Sequence, residues 1–219
     1  MSDMFVNETA LIAVIKARLK AAGELAWQRH PLPWTHPGFK SCPVAAARLL
    51  DACPGAGAAL VMRDACLRHV RELVLIRGLT LAVPCRYGDS VYSIPASAVA
   101  GGRPLRLDPL PEGSVPYQGT VDLVVVACLA FSASERRLYT FECERTAFVL
   151  DELRQGLVNG WSLPADVPVV AVAADQQEVT AWPESAKGFV EADAVFTQTR
   201  TLILGSGAAS EKSGVPAAN

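Results

Sequence analysis

Two carboxylates that flank a thiol are the most reactive combination in this chain. Glu142, Cys143 and Glu144 follow one another in the stretch "RRLYTFECERTAFVLDEL", which starts at Arg136. Paired glutamates can act as general acid and base, and a cysteine at a helix N-terminus can be a nucleophile with a lowered pKa. Acidic residues in the first turn of a helix also stabilise the helix dipole, which is the structural alternative. We take Glu142, Glu144 and Cys143 as candidate catalytic residues.

Basic side chains that can hold an anion occur at several places. Lys16 and Lys20 lie one turn apart on the first predicted helix, Lys40 ends the loop "PGFK", and Arg137 stands at the end of a predicted strand. The alternatives are a solvated helix face for the lysines and an ordinary salt bridge for the arginine. We predict all four as substrate-binding residues.

Polar residues after a buried strand are a second signal of ligand binding. Asp175 and Gln177 follow "DVPVVAVAA", and parallel sheets bind ligands beyond the carboxyl ends of their strands. Trp34 and Phe39 lie in the loops predicted to face that cleft, where they can stack on a planar ring, although aromatic residues more often pack in a core. We therefore predict Asp175, Gln177, Trp34 and Phe39 as substrate-binding residues from their positions alone.

Composition limits the class of protein. The chain has 219 residues, 51% of them hydrophobic, and a net charge of -2 with no run of five or more basic residues, which argues against a nucleic-acid partner. Six cysteines and three histidines show no spacing typical of zinc, so we expect no metal site and mostly buried thiols. The N-terminus does not resemble a secretory signal, and no apolar run reaches the roughly 20 residues of a membrane span. We expect a cytoplasmic protein, monomeric or homodimeric, that binds a small molecule and no membrane.

Hydrophobic periodicity predicts an α/β protein. Short apolar strands alternate with amphipathic helices, the pattern of a three-layer, mostly parallel, Rossmann-like sheet. We predict one domain over residues 1–204 and a polar tail over 205–219. The predicted helices are 8–30, 42–53, 64–78 and 144–158; the predicted strands are 58–62, 79–86, 89–95, 122–131, 166–174 and 193–199; and 96–119 is predicted to be a long irregular connection.

The order of several short motifs resembles the 5-formyltetrahydrofolate cyclo-ligase family, also called methenyltetrahydrofolate synthetase, and especially its synthetase-domain-like branch. The motifs are a first helix with lysines, "PGFK", "RGLTLAVP", "DLVVVACLAF" followed by "RRL", "PVVAVAADQQEV", "WPES" and "DAVFTQTR". They span roughly residues 10 to 204. The resemblance implies a cyclo-ligase-like fold, a folate substrate, and ATP with Mg²⁺ as cofactors.

The ATP loop of that family departs from its pattern here. The family's form is R-x-G-x-G-x-G-Y-x-D, and this chain retains Arg137 but has Tyr139, Phe141 and Cys143 at the glycine positions. If those glycines have positive φ, a side chain costs about 1 to 2 kcal/mol at each, and its bulk fills the phosphate volume. We therefore expect a degenerate phosphate loop, with Tyr139 contacting the substrate instead.

Three hypotheses follow from the residues and the resemblance. The first is a divergent enzyme that cyclises or dehydrates a folate-like or other heterocyclic small molecule without the family's usual use of ATP. The second is a non-catalytic ligand-binding or regulatory homologue, and the third is a retained ATP-dependent synthetase.

Overall fold

The structure is a computed structural model that describes residues 7–26, 37–85, 90–140, 143–158, 161–183 and 189–204. For residues 143–145 and 147 it describes the backbone and not the side chain. The predicted tail over 205–219 lies outside the described residues.

Four α-helices and ten strands make up the described fold. In chain order they are α1 (Glu8–Ala21), α2 (Cys42–Ala52), β1 (Ala58–Val61), α3 (Arg68–Ile76), β2 (Thr80–Pro84), β3 (Val91–Ile94), β4 (Val115–Pro116), β5 (Leu123–Ala127), β6 (Ala130–Ser132), β7 (Arg137–Tyr139), α4 (Cys143–Arg154), β8 (Val169–Val172), β9 (Ala194–Phe196) and β10 (Thr201–Ile203). Short 3-10 helices occur at Ala65–Leu67, Ala96–Gly102 and Asp175–Gln177.

Eight strands form one mixed, mostly parallel sheet in the order β10-β9-β8-β5-β1-β2-β3-β4. The five central strands, β9 to β2, are parallel. β3 pairs antiparallel with β2 and with the edge strand β4, and the other edge strand, β10, pairs antiparallel with β9. The α/β prediction is thereby confirmed. In the strand order, the connection after β1 leads to β2 on one side, and the connection after β5 leads to β8 on the other side. The two connections therefore leave in opposite directions from the neighbouring strands β1 and β5. Right-handed crossovers then place α3 and α4 on opposite faces, and ligands of such sheets bind in the crevice at this switch point.

Local signals explain where the helices begin and end. The Asn7 side chain caps α1 by accepting a hydrogen bond from the Ala10 amide at 2.9 Å, and Leu11, Ile15 and Leu19 form its buried face. Gly78 follows α3 with φ of +77°, a conformation that glycine adopts without a steric penalty.

The apolar run "DLVVVACLAF" is two strands rather than the single strand that we predicted. β5 ends at Ala127, and β6 belongs to a separate two-stranded hairpin with β7. The carbonyls of Cys128 and Leu129, at the break, accept hydrogen bonds from a side chain instead of a neighbouring strand. Hydrophobicity is continuous across this break because both pieces are buried.

The connection over 96–119 is less irregular than we predicted. It contains the 3-10 helix Ala96–Gly102 and the edge strand β4, whose Pro116 and Val115 pair with Tyr92 and Ser93 of β3. A two-residue exposed strand carries no hydrophobic alternation, so the sequence offers no pattern from which to predict it.

The amino-terminal edge of the sheet depends on one carboxylate. Oδ2 of Asp122 accepts hydrogen bonds from the amides of Gly57 at 2.7 Å and Ala58 at 2.9 Å, which ties the start of β5 to the start of β1. We expect Asp122→Ala to lower the free energy of unfolding by about 1 to 2 kcal/mol. Urea denaturation measures this, with Asp166→Ala at an exposed loop position as control. Equal effects of the two variants would contradict this assignment.

Candidate functional site

The carboxyl edge of the central strands is held together by the side-chain amide of Gln177. This residue lies in the 3-10 helix after β8 and is fully buried. Its Oε1 accepts from the Ala174 amide at 2.7 Å, and its Nε2 donates to the carbonyls of Cys128 and Leu129, the latter at 3.1 Å. The amide thus links the end of β8 to the residues after β5. This geometry favours a role in positioning the edge rather than in touching a substrate.

Asp175 lies at the same edge and anchors the turn that follows β9. Its carboxylate accepts from the Thr199 hydroxyl at 2.7 Å and from Nε of Arg200 at 3.4 Å. Burial by itself would raise the pKa of the Asp175 carboxyl, but hydrogen bonds from Thr197 and Thr199 and the charge of Arg200 hold that pKa below its usual value. Arg200 also pairs with Glu178. The carboxylate predicted to bind substrate therefore already has cationic and hydroxyl partners.

Helix α1 is attached to this edge. Nη1 of Arg18 donates to the Glu178 carbonyl at 3.0 Å, directly after the turn that contains Asp175 and Gln177. Of the two predicted anion-binding lysines on α1, Lys20 is exposed and Lys16 is half-buried, and burial lowers the pKa of the Lys16 amine. α1 thus brings positive charge near the carboxyl ends of the strands.

The β6–β7 hairpin includes Arg137 and Tyr139, which begin the stretch compared with a phosphate loop, while Phe141 lies outside the described residues. Phe131 pairs with Leu138 across it, and both side chains are fully buried. The hairpin is pinned on both sides, because the Val179 amide donates to the Phe131 carbonyl at 2.9 Å and the Val190 amide donates to the Leu138 carbonyl at 3.2 Å. The hairpin is therefore packed β structure.

An aromatic cluster of Tyr139, Trp182 and Phe189 covers the end of β7. The centroid of the Phe189 ring lies 5.6 Å from that of Tyr139 and 5.0 Å from that of Trp182, in edge-to-face arrangements. The Arg137 guanidinium lies over the Phe189 ring at 5.1 Å, and the Trp182 indole donates to Glu135 at 2.9 Å. Tyr139 is buried, whereas Trp182 and Phe189 are half-buried. The cluster thus offers aromatic surface with one cation and one carboxylate at its border.

Tyr139 stands at the first glycine position of the compared loop without backbone strain. It lies in β7, and Arg136, in the hairpin turn, has φ of 56° and is the one non-glycine residue with positive φ in the described ranges. The predicted strain cost therefore does not arise at Tyr139. The Tyr139 ring is accommodated by packing against its neighbours, without a strained backbone angle.

The other predicted site residues are placed less completely. Glu142 and Trp34 lie outside the described residues, while Cys143 and Glu144 form the start of α4, with their side chains undescribed. Phe39 is buried and its backbone bridges to Leu25, and Lys40 beside it is exposed. The structure therefore joins Asp175, Gln177 and α1 at one edge, and leaves the catalytic trio as a prediction.

Two residues that the sequence reasoning missed have buried polar atoms without a hydrogen-bond partner. They are Arg71, through Nε, and Gln176, through Oε1, and in the described ranges no other buried side-chain nitrogen or oxygen shares this property. Arg71 bonds to the carbonyl after β1, and Gln176 lies in the turn after β8. A signal for Arg71 existed, because Leu67 and Val74 place position 71 on the apolar face of α3. Gln176 had no such signal.

Cysteines and acidic residues do not converge on a metal centre in the part of the chain described. No group of three or more His, Cys, Asp or Glu side chains there could hold a metal ion. Burial raises the pKa of the Cys42 thiol to about 12 and that of the Cys128 thiol well above its usual value. Neither thiol ionises at neutral pH. These two cysteines are buried as predicted, whereas Cys53, Cys66 and Cys85 are half-buried.

No helix within the described ranges is both long enough and apolar enough to cross a bilayer.

Comparison with known proteins gives a fold relationship. No protein-family model matches the chain, and no curated protein matches it. The solved NMR structure of 5,10-methenyltetrahydrofolate synthetase from Aquifex aeolicus does match, with a TM-score of 0.51 and 14% sequence identity, over 90% of this chain and 94% of that one. The chain therefore has a cyclo-ligase-like fold over nearly its whole length.

Replacing Gln177 tests the bridge between β5 and β8. We expect Gln177→Leu to lower the free energy of unfolding by about 3 kcal/mol or more, because three buried backbone groups lose their partner. Urea denaturation measures the loss, and Gln155→Leu makes the same change at an exposed position. A loss under 1 kcal/mol would contradict the bridge.

Asp175 makes stability depend on pH in a defined direction. Because its folded pKa is depressed, its contribution is fully present above the unfolded pKa of about 4 and is lost as pH falls through the folded value. The wild-type protein should therefore be more stable than Asp175→Asn at pH 6, and this difference in stability should become smaller below pH 4. Thermal unfolding of both proteins across this range measures it, and a difference that widens on acidification would refute the assignment.

Proposed function

We propose that this protein binds a folate-like or other heterocyclic small molecule at the carboxyl edge of its sheet and cyclises or dehydrates it without phosphorylation by ATP. The observation that supports this most is Tyr139, which is buried in β7 and stands at the first glycine position of the compared phosphate loop. A phosphate cradle needs backbone amides that a polyanion can approach closely. A buried tyrosine ring at this point opposes such an approach.

Electrostatics disfavours a triphosphate at the same place. Glu135 borders the aromatic cluster, and Glu142 and Glu144 follow in the sequence. At about 5 Å in an effective dielectric near 20, one carboxylate and one phosphate charge repel by roughly 3 kcal/mol. Magnesium can offset this repulsion, but it cannot restore the backbone approach.

Cyclisation without ATP needs proton transfer in place of phosphoryl transfer. In a 5-formyl folate, N10 attacks the formyl carbon, and the formyl oxygen leaves as water after taking the N10 proton and one further proton. We assign Glu142 and Glu144 to these proton transfers, with Cys143 as the remaining catalytic candidate. Lys16, Lys20, Lys40 and Arg137 then serve the anionic part of the ligand. Trp34 is the ring assigned to stacking, because Phe39 and Tyr139 are buried within the protein.

A non-catalytic binding protein is the second candidate, and it rests on a separate observation. Carboxylates of the described part of this edge are already engaged: Asp175 and Glu178 by Arg200, and Glu135 by Trp182. Engaged carboxylates are poorly suited to exchange protons with a substrate. If Glu142 and Glu144 also have partners within the protein, the protein binds its ligand at this edge without converting it.

Titration calorimetry separates these functions. We expect binding of 5-formyltetrahydrofolate and no binding of ATP with Mg²⁺, because the cradle position is filled. Ultraviolet absorbance then follows formation of the methenyl product without ATP. Tight ATP binding would contradict the phosphate-loop argument, and binding without product would favour the non-catalytic candidate.

Glu142→Gln tests catalysis directly. It should abolish turnover and leave the melting temperature within a few degrees, because it removes a proton donor and keeps the side-chain volume. Glu191→Gln, at an exposed position, is the matched control and should retain activity. Equal losses of activity and of stability in Glu142→Gln would make the residue structural.

A further inference from the structure

Arg71 is a buried cation whose hydrogen bonds are incomplete. Its side chain lies on the buried face of α3 and is 3% exposed. Nη1 donates to the carbonyl of Met62, the residue directly after β1, and the buried Nε has no partner. A sealed donor without an acceptor is costly and uncommon in folded proteins.

No protein carboxylate among the described residues neutralises this guanidinium by direct contact. Asp64 and Glu72 act on it only at longer range. Glu72 is occupied elsewhere, by the Leu105 amide at 2.9 Å and by Arg68 at 3.4 Å. Cys66 is also close, but burial raises the pKa of its thiol well above the usual value, so it remains neutral. Arg63 adds a second positive charge nearby.

The guanidinium remains charged and lies where ligands of this fold class bind. Burial lowers the pKa of Arg71 to about 10, which still leaves it protonated at neutral pH. Met62, whose carbonyl accepts a hydrogen bond from Arg71, directly follows β1. The connections after β1 and β5 leave in opposite directions, and sheets of this kind bind ligands in the crevice at such a switch point.

The unused edge of the guanidinium has a specific shape. Nη1 donates to the Met62 carbonyl, and the buried Nε has no partner. In a planar guanidinium the N–H of Nε points parallel to one N–H of Nη2, on the edge away from Nη1. Two parallel donors at this spacing match a carboxylate or a phosphate in a bidentate arrangement. We propose that the side-on edge of Arg71 is an oxyanion subsite, which binds a carboxylate or phosphate group of the small-molecule ligand at the switch point.

A purely structural role explains these contacts less well. One hydrogen bond to the Met62 carbonyl could come from a smaller or neutral donor, and an apolar side chain would fill the same volume without burying a charge. The proposal deepens the proposed function, on which it rests for the identity of the ligand. The subsite itself is tested without a folate.

Nitrogen-15 NMR of the arginine Nε–H groups tests the subsite in the wild-type protein. The Arg71 signal is assigned by its loss in Arg71→Lys, and the folded protein is titrated with inorganic phosphate and separately with acetate. We expect a saturable shift of the Arg71 Nε–H signal, and the probe that saturates at lower concentration identifies phosphate or carboxylate chemistry. Arg48 is the matched control, because its Nε already donates to the Thr197 carbonyl at 3.1 Å and its signal should not move.

Two results would overturn the subsite. One is an Arg71 signal that moves with neither anion, and the other is an equal, non-saturating drift of the Arg71 and Arg48 signals, which reports ionic strength alone. If Arg71→Lys does not fold, through-space contacts from the wild-type Nε–H to Met62 give the assignment instead. A saturable shift with phosphate or acetate supports the subsite even where 5-formyltetrahydrofolate does not bind. The failure of the subsite proposal can therefore be told apart from the failure of the proposed function.

Discussion

The side-chain amide of Gln177 is the constraint on which the carboxyl edge of the sheet depends. Its three hydrogen bonds hold the end of β8 against the residues after β5, and they use two carbonyls that would otherwise continue β5 as a strand. The chain therefore leaves the main sheet at Cys128 and enters the β6–β7 hairpin. Because Gln177 is fully buried, water cannot replace these bonds. The last turn of α1 is linked to the same turn through Arg18 and Glu178.

This constraint determines what chemistry the edge can support. The hairpin that begins after Leu129 carries Tyr139 into an aromatic cluster with Phe189. Asp175 and Arg200 close the turn beyond β9 and satisfy one another. Nε of Arg71 and Oε1 of Gln176 are buried atoms without a hydrogen-bond partner, and these residues follow β1 and β8, the two strands that flank β5.

Much of the fold could be predicted from the sequence, whereas little of the site could. Apolar strands and amphipathic helices predicted the parallel core, because burial selects those patterns directly. The break between β5 and β6 could not be predicted, since it depends on a bond from Gln177, some 48 residues further along the chain. Position after a strand predicted Asp175 and Gln177 as substrate-binding residues, but it could not show that both make hydrogen bonds within the protein while Oε1 of Gln176, between them, has no partner. Whether a polar side chain has a hydrogen-bond partner depends on its rotamer and on its neighbours in the fold. Spacing along the chain contains neither.

Hydrogen–deuterium exchange of the backbone amides, with and without 5-formyltetrahydrofolate and separately with ATP and Mg²⁺, tests the central claim that this edge binds a heterocyclic ligand and no nucleotide. The account predicts that the folate slows exchange in residues 62–71 and 174–177 and that ATP changes nothing. It would be contradicted if ATP slowed exchange in the hairpin over 130–140, or if the folate protected only the opposite edge around residues 57, 58 and 122.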